Sequence, residues 1–184
     1  CHSYTLSREL RALAVASTAH NVATLRDAER FVPTPGSIFL TARHAPVATL
    51  LNLGPEISGG AVRAALEIAW TAQTPRSKTK ICHHRDIRIV PTGGGGRCEI
   101  LDQWRVSQPH PTCLYWHIAP AWEISRLTRY GCELFNTHHG TVLLAFDYSA
   151  AWELAQEPYP YSPQYGLAMP AERLVLYFPS VRFI

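Results

Sequence analysis

Three groups of residues in this chain have the types and spacing to do chemistry. Residues 93–96 are four consecutive glycines, among them Gly95 and Gly96, closed by Arg97; Arg88 lies on the short alternating segment just before them. Glycines let backbone N–H groups approach an anion closely, and a guanidinium offers phosphate a planar fork. The run is not a P-loop, because no Gly-Lys-Ser/Thr follows. It is not a dinucleotide fingerprint either, because no helical pattern starts directly after it. A plain surface loop is the structural alternative. The second group is Tyr115 and Glu123, on an apolar strand-like run and in the first turn of a helical pattern behind Pro120. A carboxylate there is also what the helix dipole favours for purely structural reasons. The third group is the histidines, with the pairs 83–84 and 138–139 and with His110 and His117 flanking Cys113. None of their spacings to the cysteines matches a structural zinc pattern, so no metal site is expected. A Cys–His nucleophile lacks a third, orienting group.

These residues need elements to position them. Leu6, Leu10, Leu13 and Ala14 recur at helical spacing, and a second helix is expected over 22–31. Residues 37–41 read as a short strand. Val62, Leu66, Ala69 and Trp70 predict a helix over 61–72, stopped by Pro75. Strands are expected at 87–90, 113–118, 141–146 and 174–178, and a short helix at 150–156. The proline- and tyrosine-rich stretch 157–170 reads as an irregular loop. The expected fold class is α+β: an N-terminal helical segment, 1–75, followed by a small mixed sheet with short helices, 76–184. A single domain over the whole length is the other division.

At 184 residues, 47% hydrophobic and 17% charged, the chain can bury a core and is not of disordered composition. A net charge of +3 and a pI near 8.7 are only mildly basic. The densest basic run holds Arg76, Lys78 and Lys80. Nucleic acid is therefore not the expected partner. No run approaches the roughly eighteen apolar residues of a membrane helix, and no membrane partner is expected. The chain begins at Cys1 without a methionine, so the lack of a visible signal peptide decides nothing. Five cysteines without a CxxC fit buried free thiols in the cytoplasm, or two disulfides in a secreted protein.

In their order along the chain, these pieces resemble the RES family, bacterial toxins named for an Arg, a Glu and a Ser. The resemblance covers residues 80–184. It rests on Ile87-Arg88-Ile89, on Gly95-Gly96-Arg97, on Cys113-Leu114-Tyr115 through Ala119, on Glu123, and on the segment 174–180 that ends in Pro179-Ser180. The resemblance implies an ADP-ribosyltransferase-like fold and consumption of NAD as substrate. The nicotinamide–ribose bond would be cleaved, or ADP-ribose transferred. It assigns catalysis to Glu123, Ser180 and Arg88, and dinucleotide binding to Arg97, Gly95, Gly96 and Tyr115. It also implies a cytoplasmic protein held by an antitoxin partner. The chemistry is coherent, because bond cleavage develops oxocarbenium charge that a carboxylate stabilises. The competing reading is a non-enzymatic protein-interaction domain, secreted or virus-encoded, with paired cysteines and the 158–165 stretch as its contact surface.

Overall fold

The structure, a computed structural model, describes residues 21, 23–26, 31–33, 40–42, 47–55, 60–73, 78–92, 95–161 and 168–183. Among these residues there is no helix. In chain order the strands are β1 (Ala23–Leu25), β2 (Phe31–Pro33), β3 (Leu40–Ala42), β4 (Val47–Pro55), β5 (Val62–Gln73) and β6 (Lys78–Thr92). They continue with β7 (Gly95–Ile118), β8 (Glu123–Thr128), β9 (Gly131–Asn136), β10 (Gly140–Ala145), β11 (Glu153–Tyr161) and β12 (Met169–Phe183). The α+β expectation is overturned: the described chain is all-β.

Each expected helix that falls on described residues is replaced by strand or turn for a physical reason. The helix over 61–72 is strand β5. Its helical spacing is real, but Val62, Ala64, Leu66, Ile68 and Trp70 also alternate with Arg63, Glu67 and Thr71, and the pairing partners decide for the strand. The polar stretch after it does not separate two halves, since β5 and β6 on either side are antiparallel neighbours. At Glu123 the expected helix is replaced by β8. Pro120 sits at the second position of a β-turn that Trp122 N–H closes on the Ala119 carbonyl at 2.9 Å. The helix at 150–156 gives way to β11, which runs into the expected loop. Pro158 and Pro160 are tolerated there because β11 is an outer strand and prolines two apart direct their missing N–H to the same, unpaired side. Within 22–31, residues 23–25 form β1 and Phe31 begins β2, while 22 and 27–30, like the expected helix at Leu6 to Ala14, lie outside the described residues. Strands at 87–90, 113–118, 141–146 and 174–178 are found within β6, β7, β10 and β12.

The chain forms two compact units. The first is Cys1–Arg43 with His110–Ser180; the second is His44–Pro109 with Val181–Ile184. β7 contributes its later residues to the first unit and its earlier ones to the second. In the first unit β11, β12 and β7 are successive neighbours, and β1 also pairs with β7, Ala23 opposite Leu114. A meander of β8, β9 and β10 is a second sheet of this unit. Ile118, Cys132, Leu134 and Leu174 form its buried core, with Trp116, Trp122, Ile124, Leu144, Phe146 and Leu154 packed round them. A short hairpin, β2 with β3, completes the pairing. In the second unit β4, β5, β6 and the earlier part of β7 are antiparallel neighbours in that order.

One glycine is required by the meander. Gly131 follows the β8–β9 turn with φ 155°, opposite Ala145 of β10. A Cβ there would collide with the Leu144 carbonyl oxygen and come within 3.0 Å of Ala145 Cα. Gly131→Ala is expected to destabilise the protein by about 1–3 kcal/mol, read as a lower urea midpoint. Gly96→Ala is the control. Its Cβ would meet only the Val90 carbonyl oxygen at 3.8 Å, and the midpoint should move by less than about 0.5 kcal/mol equivalent.

Candidate functional site

The residues assigned from sequence fall into two groups. Arg88 on β6 and Arg97 on β7 lie in the second unit, on one face of its sheet, with Glu99 opposite Arg88. Glu99 takes both: Arg88 Nη1 is 3.4 Å and Arg97 Nη2 2.7 Å from its carboxylate. Gly95 and Gly96 start β7 and pair with Thr92 and Pro91. The glycine run is thus the connection between paired strands, and Gly93 and Gly94 lie outside the described residues. Tyr115, Glu123 and Ser180 belong to the first unit. Tyr115 is buried in β7, Glu123 is exposed at the start of β8 opposite Phe135, and Ser180 is exposed near the end of β12.

Tyr115 sits in a polar aromatic cluster built by alternation. Cys113, Tyr115 and His117 share one face of β7, Arg173, Val175 and Tyr177 one face of β12, and Glu157 and Tyr159 one face of β11. The Arg173 guanidinium lies 4.7 Å over the Tyr115 ring and 5.7 Å from that of Tyr159, and its Nη2 donates to Glu157 at 2.8 Å. The Tyr177 hydroxyl also donates to Glu157. The His117 ring meets Tyr159 edge-on at 4.2 Å, and its Nδ1 lies 3.0 Å from Asn21 Oδ1. Burial pushes the Tyr115 phenol well above its usual range. Burial and the Glu157 hydrogen bond push Tyr177 up to about 12. Burial also raises the Cys113 thiol, so Cys113 is not an activated nucleophile.

Register assigns the residues of the second unit's sheet to two faces, with exposed Val47 and Leu101 on the charged one. One face carries Arg63, Glu67, His84, Asp86, Arg88, Arg97, Glu99 and Arg105, as the register of β5, β6 and β7 dictates. The other carries, row by row, Val62–Ile89–Cys98 and Leu53–Ala64–Ile87–Ile100, with Leu50 and Leu66 next. A bulge between Leu50 and Asn52 brings both Leu50 and Leu53 onto this apolar face, where an unbroken strand would have split them. Leu50 is 63% exposed, Leu53 68%, Ile89 52%, Val62 46% and Ile100 37%. Nothing in the assignment from sequence pointed here. The signal was present, in the even positions of β5 and in the nine residues of β4 without a charge.

Further along the same face lies a buried ionic group. His83 Nε2 is 2.8 Å from Asp102 Oδ1, and Arg85 grips both Asp102 oxygens at 2.6 and 2.8 Å. Burial alone would raise the Asp102 carboxyl, but hydrogen bonds and charge from His83 and Arg85 outweigh it and hold it below 3.8. Arg63 holds Asp86 low through its hydrogen bonds; the Tyr177 and Arg173 hydrogen bonds do the same for Glu157 against its burial. Cys82, Cys98, Cys113 and Cys132 carry free thiols. Among the described residues no group of three or more His, Cys, Asp or Glu is placed to hold a metal ion. Cys82 and Cys98, two ligand candidates, face opposite sides of the sheet.

All three carboxylates have folded-state pKa values lowered from ordinary ones of 3.8 or 4.5. Their stabilisation is present above the unfolded pKa and is lost as pH falls through the folded one. Stability measured by urea titration should hold from pH 7 to 5 and fall below pH 4 for the wild type. Asp102→Ala leaves Arg85 buried without its carboxylate and should cost about 3–5 kcal/mol at pH 7, with a weaker acid dependence. Comparison with family models, curated proteins and solved structures returns no match for this chain.

Proposed function

We propose that the chain is a non-enzymatic protein-interaction domain that associates with a second copy through the apolar face of β4–β5–β6–β7. The exposed row of Leu50, Leu53, Val62, Ile89 and Ile100 carries this reading. Apolar side chains concentrated on one open face mark an association surface, whereas scattered ones do not. The exposed part spans about five residues along each strand and four strands across. At roughly 3.4 Å per residue and 4.8 Å per strand this is a flat footprint of about 330 Å². That is the size of an interface core, smaller than the roughly 800 Å² per partner of a standard stable complex. Self-association in the micromolar range follows, not an obligate dimer.

A second copy is the occupant that fits. The rows of Val62 and Leu53 carry no charge, the charges in the row of Leu50, Arg85 and Asp102, are paired with each other, and an apolar face repeated by a two-fold axis is complementary to itself. Two such sheets stack about 10 Å apart with interdigitating side chains. The uncharged edge strand β4 borders the face, so nothing repels a neighbouring copy there. The 158–165 stretch is not needed as the contact surface, since its residues up to Tyr161 are strand β11.

Light scattering over a concentration series should show a monomer–dimer equilibrium. Leu53→Lys should weaken it by about 100-fold, because a lysine would have to be buried against leucine and isoleucine. Thiol labelling of Cys98, which is exposed on this face, should slow as wild-type concentration rises and stay constant in the variant. A wild type that is monomeric at all concentrations would refute self-association. Nicotinamide release from NAD that is abolished by Glu123→Gln would instead restore the NAD-consuming reading.

A further inference from the structure

We infer that the first unit binds a small organic anion with a flat apolar body, such as an aryl or nucleoside phosphate. The site is a cavity of about 1040 Å³ lined by residues of this unit alone. Its volume is at the top of the usual range for ligand pockets, which is room for a ligand of nucleotide size. This site shares no residue with the apolar face of the second unit, and the two proposals stand or fall separately.

The walls supply both halves of the recognition. Phe178, Leu154 and Leu127 are apolar, and Trp152 stands among them. The indole is fixed by three edge-on ring contacts, with Tyr148 at 6.0 Å, Tyr130 at 6.2 Å and Phe146 at 6.4 Å. A ring held this way offers a flat surface at little entropic cost. Tyr177 lines the cavity while its hydroxyl is engaged by Glu157. Arg26 follows β1 directly and Arg129 occupies the β8–β9 turn; both are exposed and both line the cavity. Arg129 leans over the Tyr130 ring at 5.4 Å. Neither guanidinium makes an ion pair with a described residue, in contrast to Arg63, Arg85, Arg88, Arg97 and Arg173, which all do. Glu153 is the one carboxylate of the lining, so the cationic groups outnumber it. Two forked donors beside an aromatic wall match an oxyanion carried on a ring.

Calorimetry with AMP, adenosine and inorganic phosphate tests this on the full chain. AMP should bind with a Kd below about 1 mM, and more tightly than either half-ligand. Arg129→Gln, an exposed turn substitution, should weaken AMP by about tenfold and leave adenosine unchanged. Trp152→Leu should weaken AMP and adenosine alike, with folding checked by circular dichroism. Raising salt should weaken AMP and not adenosine, because the arginines are exposed to screening. No saturable AMP binding up to about 10 mM would overturn the inference. AMP binding that is indifferent to Arg129→Gln and to Arg26→Gln would do the same.

Discussion

Backbone hydrogen bonding along β7 is the constraint on which both units depend. Its 24 residues must find partners for nearly every N–H and C=O. The earlier residues find them on β6, from Gly95 opposite Thr92 to Val106 opposite Ile81. The later ones find them on β1 and β12. Side-chain chemistry changes along the same strand. From Asp102 to Val106 the earlier part alternates buried with more exposed residues, while Thr112 to Tyr115 are buried on both faces. A strand buried on both sides needs a cover on each. In the first unit the β8–β9–β10 meander helps cover one of them.

The second unit answers the same constraint differently. Its sheet places the cross-strand pairs of Arg63, Arg88 and Arg97 on one face and the exposed apolar rows of Leu53 and Val62 on the other. Across strands Arg63 pairs with Asp86, and Arg88 and Arg97 share the single carboxylate of Glu99. The apolar face has no such internal answer over Leu50, Leu53, Val62, Ile89 and Ile100, and its exposure is the physical basis of the association reading. Deeper along that face, Asp102 is satisfied by His83 and Arg85, and the His83 ring lies 5.1 Å from that of Trp104. Arg88 and Arg97, the arginines singled out from sequence, lie exposed around Glu99. Arg26 and Arg129, which line the cavity and have no ion pair with a described residue, lie in the other unit.

Some of this was legible in the residues alone. The strands at 87–90, 113–118, 141–146 and 174–178 were readable because alternation or β-branched and aromatic runs leave no competing period. The turn residues Pro120, Gly131 and Gly140 also punctuate the chain where the structure turns. Tyr115 was singled out and does sit in a built cluster of aromatic and charged groups. What the residues could not decide was β5. Val62-Arg-Ala-Ala-Leu-Glu-Ile-Ala-Trp70 satisfies helical and strand periods together, and its alanines favour a helix. Only pairing with β4 and β6 resolves that tie, because strand stability comes from neighbours distant in sequence. The same holds for Pro158 and Pro160, which exclude a central strand but not an edge one. The bulge that puts Leu50 and Leu53 on one face, and the gathering of Arg26, Arg129 and Trp152 round one cavity, are likewise products of register and folding. Sequence determined which residues are apolar, charged or turn-forming; tertiary pairing decided which of them share a face, because a strand's two sides are assigned only when its partners are.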